Sequence, residues 1–479
     1  MSEKRHFKLF SARQSGGKSK NYLRLFDAIA QQDYYDEEKI KDEFETSNFI
    51  RHLPYEKNYL YAHLLEGLNS YNREKTFLAR HSNYLISIEL LFNRGLFQQC
   101  RKIIRKAKSE AISLEKFSVL LLIIRWETLV FINNEDDKNL NLNLQEEIRI
   151  LEMMKVQTIL MQIAFTMQIQ IDKGKVSDSF LKNSLQDLKK NYPLRQDMQS
   201  FWVNYYYHST LGLIFTVQNK HLKRYSCYKE IKVIMDKAPQ FIVDLPAIYH
   251  TNSNNLVNVM CFLGKYDEAE NIVNSQQKFT TTYKINRPGL SDIIFLNTSE
   301  SRLFIIYKTG RKEDVGALVR QIEIRLRKID PNINPVIFDL MFMMSVSELM
   351  VNNFKGALKW LNQILNTERE IKSRKELQIN ARLLYILVLF ESHDKLFENH
   401  LNSAKRFIVQ DSKFHNELIV VEAIRILADP KLLKKNKAEI PGLIQRIRKD
   451  SRRTNEAALN KQFDFAEWIE KKYVEISQQ

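Results

Sequence analysis

Glycine and proline are scarce in this chain, which has 12 glycines and 9 prolines among 479 residues. Average usage of these two turn-forming residues would supply roughly 12% of a chain. Sandwiches, barrels and Rossmann-type sheets need many tight turns and Gly-rich loops, so this scarcity disfavours them. A hydrophobic fraction of 44% beside 27% charged residues is typical of a chain that folds around a core. The composition therefore predicts an all-α protein.

The cysteines and the lengths of the apolar runs indicate the cellular compartment of the protein. The three cysteines, Cys100, Cys227 and Cys261, are widely spaced and odd in number, so a disulfide framework is not expected. The first ten residues carry charges where a secretory signal needs an apolar stretch. Apolar runs such as 383–390 are shorter than the roughly 20 residues of a membrane span. We expect a cytoplasmic protein without a membrane partner.

The formal net charge of +16 is concentrated at the two ends of the chain. Residues 1–24 hold seven Lys or Arg against the single Glu3, and residues 431–453 hold nine against Glu439 and Asp450. The intervening part is close to neutral. Any electrostatic attraction for a partner is therefore expected at the ends.

A short turn between two helical patterns recurs along the chain. Its clearest copy is Gly264-Lys-Tyr266-Asp-Glu-Ala269, and a second is Gly95-Leu-Phe97-Gln-Gln-Cys100. The glycine suits a left-handed helix C-cap, the aromatic residue packs between the helices, and the small residue permits close approach.

Weaker copies of this turn give the repeat its period. The third position of the turn falls at 97, 176, 266, 312, 354 and 397, with a degenerate turn near Leu222. The unit is roughly 40 to 46 residues. Longer polar loops, such as 274–288, are expected between units.

The Gly-x-Tyr-x-x-Ala core at Gly264, Tyr266 and Ala269 resembles the turn and second helix of tetratricopeptide repeats. This resemblance implies a right-handed superhelix, or α-solenoid, of antiparallel helical hairpins. The chain departs from the family in its longer period and in lacking the proline that closes each unit. A HEAT-like α-solenoid is the alternative fold. The expected organisation is a flexible basic tail at 1–21, a helical cap at 22–74, the repeat array at 75–430, and basic capping helices at 431–479.

The resemblance also implies a binding groove, because the exposed faces of the first helices in tetratricopeptide arrays hold extended peptides. Asparagine suits such a face, since its amide both donates to and accepts from a peptide backbone. With Leu256, Val257 and Met260 facing inward, asparagines occupy the outer face of the helix before Gly264. The groove candidates are Asn254, Asn255, Asn258, Asn297, Glu300 and Lys308, with Trp202 and Tyr207 as aromatic anchors. The alternatives are a merely solvated face and plain aromatic packing.

A nucleic-acid-binding or regulatory role for the basic ends is the competing interpretation. With Leu443, Ile444 and Ile447 facing inward, a positive flank able to contact phosphates is formed by Arg446, Arg448, Lys449, Arg452 and Arg453. No zinc module or recognition helix accompanies these residues. A solvated basic face or a contact with an acidic partner is the preferred interpretation.

Signals of enzyme chemistry are weak. The segment ARQSGGKS at 12–19 fits a loosened phosphate-loop pattern with Lys18, but neither a strand before it nor a magnesium-binding Asp after a later strand is present. Histidines and cysteines show no metal-ligand spacing. We predict a non-enzymatic scaffold or adaptor with no cofactor and no metal, binding a peptide or protein segment. A nucleotide hydrolase that uses Lys18 is the remaining alternative.

Overall fold

The structure, a computed structural model, describes residues 3–15, 21–32, 35–74, 76–173, 175–193, 198–287, 289–329, 336–366, 375–410, 414, 417–451 and 463–478. Within these ranges the regular structure is helical, with 24 α-helices and no strand. The chain divides into two compact units, 1–154 and 155–479. The division falls within the long helix α8 (Asp137–Asp172) and inside the predicted 75–430 array.

The first unit begins with a small helical cluster. Its helices are α1 (Glu3–Ser15), α2 (Asn21–Gln31), α3 (Glu37–Glu43) and α4 (Leu53–Asn72), with a 3₁₀ turn at Asn48–His52. Phe7 of α1 is buried with Tyr22 and Leu25 of α2. A Cβ at Gly67 of α4 would lie 2.8 Å from Cδ2 of Phe7, so glycine permits the close approach of α1. Part of the predicted flexible tail at 1–21 is therefore a packed helix, because Phe7 supplies an apolar anchor within the charged segment.

Helical hairpins follow in the same unit. They are built from α5 (Phe77–Phe92), α6 (Phe97–Ser113), α7 (Phe117–Ile132) and the first part of α8. Gly95 has φ 71° between α5 and α6, as the turn pattern predicts. Glu115 and Glu135 take positive φ at the next two turns, where the sequence shows no glycine.

The second unit contains the rest of α8 and the remaining helices. These are α9 (Asp178–Asn191), α10 (Phe201–Val217), α11 (His221–Asp236), α12 (Pro239–Asp244), α13 (Pro246–Phe262), α14 (Tyr266–Thr282), α15 (Leu290–Thr309), α16 (Val315–Leu326), α17 (Ile337–Met350), α18 (Phe354–Asn366), α19 (Lys375–Glu391), α20 (Phe397–Val409), α21 (Glu417–Ala428), α22 (Pro430–Asn436), α23 (Ile440–Ser451) and α24 (Phe465–Gln478).

The helices of the second unit form successive hairpins. Here α10, α13, α15, α17 and α19 are called first helices, and α11, α14, α16, α18 and α20 second helices. Each hairpin packs on the next through contacts such as α13 with α15 and α17 with α19. This packing of neighbour on neighbour is typical of helical repeats. The predicted all-α helical-repeat fold is confirmed.

Residues in the left-handed backbone conformation end the first helices. Gly264 (φ 71°) and Gly310 (φ 73°) occupy the predicted turns, and Asn352 (φ 58°) fills the same role without being glycine. The degenerate turn expected near Leu222 is formed by Asn219, also at positive φ. Gly174, which precedes the predicted third turn position at 176 by two residues, lies outside the described residues.

One predicted loop is partly helical. Helix α14 continues to Thr282, although 274–288 was expected to be a polar loop. Gln276 and Phe279 are both buried in this extension. Burial of one face therefore holds in a helix a segment whose polar composition suggests a loop.

Helix α8 is long and apolar enough over Asp137–Ile171 to satisfy the length and composition of a membrane span, and 28% of its most apolar window is buried. Polar residues interrupt the apolar run of this helix, so the expectation that strongly apolar runs are shorter than a span stays a prediction. One such helix is weak evidence for a membrane span, since core helices of soluble proteins pass the same test.

Candidate functional site

Three of the four asparagines of α13 lie on its solvent side, whereas Asn252 is buried. Asn258 is exposed, and Asn254 and Asn255 are half-buried. Leu256, Val257 and Met260 are buried, as predicted for the inner face. Helical periodicity therefore separates this helix into an apolar inner face and an amide-bearing outer face.

The candidates on α15 are more enclosed. Asn297, Glu300 and Lys308 are all half-buried. The Nζ of Lys308 lies 5.0 Å from the ring centroid of Tyr307 and 5.7 Å from that of Phe304. These cation–π contacts hold the ammonium group beside the aromatic surface of its own helix.

A buried hydrogen-bond network connects Asn297 to α13 and α14. The Asn297 amide Nδ2 donates to Nε2 of His250 at 3.0 Å, so the ring proton is on Nδ1 and donates to Oε1 of Gln276 at 3.0 Å. The Nε2 of Gln276 then donates to Oγ of Ser253 at 3.2 Å. One N–H and the carbonyl oxygen of Asn297 remain for other partners, and the network fixes the direction in which they point.

The histidine of this network is neutral in the folded protein. His250 is 2% exposed. Burial lowers the pKa of His250 from its ordinary value of 6.5, and the hydrogen bond with Gln276 opposes that shift without cancelling it. Sequence reasoning missed His250 and Gln276, since Gln276 belongs to the segment interpreted as a loop.

The proposed aromatic anchors on α10 are largely engaged in packing. Trp202 contacts Phe201, Tyr205 and Tyr206, with ring centroids 5.3 to 5.9 Å apart. Tyr207 stacks on Tyr192 at 3.9 Å. Burial raises the pKa of Tyr207, and it raises that of Tyr205 to about 12. Both candidates are half-buried members of an aromatic cluster, so the asparagine face is the better-supported part of the site.

The C-terminal helix α24 covers part of the first helices. Phe463, just before α24, stacks on Tyr307 of α15 with centroids 6.1 Å apart. Glu391 of α19 accepts hydrogen bonds from Nε1 of Trp468 at 2.9 Å and from Nζ of Lys472 at 2.8 Å. A cavity of about 390 Å³ lies beneath, lined also by Val346 and Met350 of α17. The final helix is expected to cap the end of the array; α24 packs on α21 and α23 and also reaches back to α15 and α19.

This position of α24 changes the interpretation of Lys308. Lys308 is one of the predicted groove residues, where its ammonium group would be available to a partner. The pKa of Glu467 on α24 is lowered chiefly by a hydrogen bond from Lys471, with a smaller contribution from the charge of Lys308. Lys308 therefore already acts on a carboxylate of its own chain.

The basic flank of α23 is only partly described. Ile444 is buried and Leu443 and Ile447 are half-buried, as predicted for the inner face. Arg446 is exposed, and Arg448 pairs with Glu470 of α24 at 2.6 Å. Arg452, Arg453 and the side chain of Lys449 lie outside the described residues, as does Lys18 of the phosphate-loop pattern.

Among the described residues, no group of three or more His, Cys, Asp or Glu side chains is placed to hold a metal ion. The three cysteines are buried thiols. Burial raises the pKa of Cys227 to about 11 and that of Cys261 to about 12, so neither is a thiolate nucleophile at neutral pH.

The chain matches no protein-family model and no curated protein.

Proposed function

We propose that this protein is a non-enzymatic, tetratricopeptide-like adaptor that binds an extended peptide or protein segment along the outer faces of α13 and α15. The observation that carries this proposal is the row of Asn254, Asn255 and Asn258 on the solvent side of α13. Amide side chains pair with a peptide backbone in both directions, so such a row recognises an extended chain without demanding one sequence.

The hydrogen-bond network of His250 supports the same face. It fixes the amide of Asn297, so that less side-chain entropy is lost when a ligand pairs with it. Glu300 lies three residues after Asn297 on α15, which places both side chains on one face. A peptide bound here would contact two successive hairpins.

The extent of the groove is limited by α24. Because Phe463 stacks on α15 and both Trp468 and Lys472 bond to α19, the chain itself covers part of the surface over the ends of these two helices. We therefore propose that the ligand segment binds on α13 and the first part of α15.

The test uses a library of peptides displayed on phage, selected on the full-length protein. The change Asn254→Ala with Asn258→Ala removes two amides from the solvent side of α13. Loss of one net hydrogen bond is worth about 1 kcal/mol, so the double variant should retain the selected peptides at least about tenfold less well. Since neither side chain is in the core, the melting temperature should be nearly unchanged.

The matched control is Asn271→Ala with Ser275→Ala, which alters two exposed polar residues on α14 of the same hairpin. This control should retain the selected peptides fully. Equal retention by the wild type and the α13 variant would refute the assignment of the site.

A further inference from the structure

A second site is formed by a cavity of about 350 Å³ where α14, α15 and α16 meet. Its size lies within the range of small-molecule pockets. Apolar side chains of α15 and α16 line it, namely Ile294, Phe295, Leu318 and Ile322, and two arginines, Arg302 and Arg325, reach it as well. It combines an apolar surface with positive charge.

Ser299 adds a hydroxyl group at this cavity. The residue is 3% exposed and lines the cavity, and no hydrogen bond joins its hydroxyl to another described residue. The neighbouring Thr298 differs, since its Oγ1 donates to the carbonyl oxygen of Ile294 at 2.6 Å. A serine hydroxyl both donates and accepts hydrogen bonds, so that of Ser299 can pair with a polar group of a ligand in the cavity.

Arg302 lies next to Ser299, three residues further along α15, so the two side chains share one helical face. Its Nη2 donates to the neutral amide oxygen of Asn274 at 2.8 Å. No carboxylate of the described residues lies within 4 Å of its guanidinium group, whereas the nearby Arg311 pairs with Glu270. Arg302 therefore keeps an uncompensated positive charge at the wall of the cavity.

The charges at the cavity select a monoanion. Arg325 donates to Asp292 at 3.3 Å and to the carbonyl oxygen of Ser291 at 3.0 Å, and it lies 4.3 Å from the ring centroid of Phe295. Asp292 offsets the charge of Arg325, which leaves that of Arg302. A carboxylate balances this single charge and matches the planar geometry of a guanidinium group.

We propose that this cavity binds a small carboxylic acid with an apolar body. The carboxylate accepts hydrogen bonds from Arg302 and from the hydroxyl of Ser299, and the apolar body lies against Phe295, Leu318 and Ile322. The site is separate from the asparagine face of α13, so this proposal can be tested independently of the proposed function.

The experiment titrates the full-length protein with hexanoate, hexanol or inorganic phosphate, followed by calorimetry and saturation-transfer NMR. Hexanoate should bind saturably. Hexanol has the same apolar body without the charge and should bind at least about tenfold more weakly, because its hydroxyl cannot form the charge-assisted hydrogen bonds of a carboxylate with a guanidinium group. Phosphate lacks the apolar body and should bind more weakly than hexanoate.

Two variants locate the site. Arg302→Gln should weaken hexanoate binding at least about tenfold, and Ser299→Val, which removes the hydroxyl and fills part of the space, should weaken it while every charge is kept. Arg327→Gln removes an equal charge from an exposed arginine paired with Glu323 and should leave binding unchanged. The melting temperature of each variant verifies that it is folded.

Three results would overturn the proposal: no saturable binding of hexanoate up to about 10 mM, equal binding by the Arg302→Gln and wild-type proteins, or equal affinity for hexanol and hexanoate. Stronger binding of phosphate than of hexanoate would also contradict it, by indicating a site for phosphate instead.

Discussion

The α5/α6 and α13/α14 hairpins place a buried histidine at the same position but give its ring different hydrogen-bond partners. The register that aligns Gly95 with Gly264 also aligns His81 with His250 and Ala107 with Gln276. His81 is 0% exposed, and its two ring nitrogens face carbonyl oxygens of Phe77 at 3.0 Å and Ala107 at 3.1 Å. His250 faces one acceptor, Gln276, and one donor, Asn297.

The residue of the second helix that faces the ring accounts for this difference. Ala107 has no side chain beyond Cβ, so the backbone of α6 reaches His81 directly. Gln276 inserts an amide, which continues the network to Ser253. The ring nitrogens of His81 face backbone carbonyl oxygens of its own hairpin, whereas the hydrogen bonds of His250 extend to Asn297 on the proposed binding face. One repeat position therefore serves packing in the first hairpin and orients a surface amide in the second.

The largest expected change in stability comes from giving the α5/α6 hairpin the glutamine that faces the histidine in α13/α14. Ala107→Gln inserts a polar side chain at a position that is 0% exposed. Overpacking and burial of the new amide should lower the free energy of unfolding by about 3 kcal/mol, measured by chemical denaturation. Lys106→Gln, an exposed neighbour on α6, is the control and should change little. If Ala107→Gln left the denaturation midpoint unchanged, the close approach of the α6 backbone would not be the reason why His81 faces backbone carbonyls.

A smaller loss of stability is expected when the α13/α14 hairpin is given alanine in place of Gln276, as in α5/α6. Gln276→Ala removes the acceptor of His250 and the donor to Ser253, both inside the core. Unsatisfied buried groups should cost about 2 kcal/mol of unfolding free energy. The exposed neighbour Gln277→Ala should cost almost nothing. If Gln276→Ala were as stable as the wild type, α14 would have moved to let the backbone replace the amide, as in α5/α6.

The sequence predicted the local features that these hairpins share. The turn glycines, the inward-facing Leu256, Val257 and Met260, and the alternation of helices all follow from short-range spacing. The register of Gly95 on Gly264 was also visible in the sequence, and with it the equivalence of His81 and His250 could have been found.

The features that differ depend on contacts that local patterns do not encode. The polar composition around Gln276 suggests a loop, and only burial against His250 and Ser253 keeps that segment in a helix. The contact of Trp468 with Glu391 joins residues 77 positions apart, so helical periodicity gave no indication that α24 lies on the first helices. The cavity beside Ser299 and Arg302 likewise requires the packing of three helices.

The smallest expected effect is the pH dependence that His250 confers on stability. Burial lowers the pKa of His250 in the folded protein below the 6.5 of an unfolded chain, so below pH 6.5 the unfolded chain binds more protons than the folded one. The stabilising contribution of neutral His250 is therefore complete above pH 6.5 and is lost as the pH falls below that value. In the window from pH 7.5 to 5.5, His250→Asn should reduce the slope of unfolding free energy against pH, because asparagine does not titrate.

Burial also lowers the pKa of His208, so His208→Asn should remove a separate share of the slope and serves as the reference. Carboxylates lose their contributions at lower pH and do not interfere in this window. A slope identical in the His250→Asn and wild-type proteins would contradict a neutral His250 held by Gln276 and Asn297, and with it the chemical difference between the two hairpins.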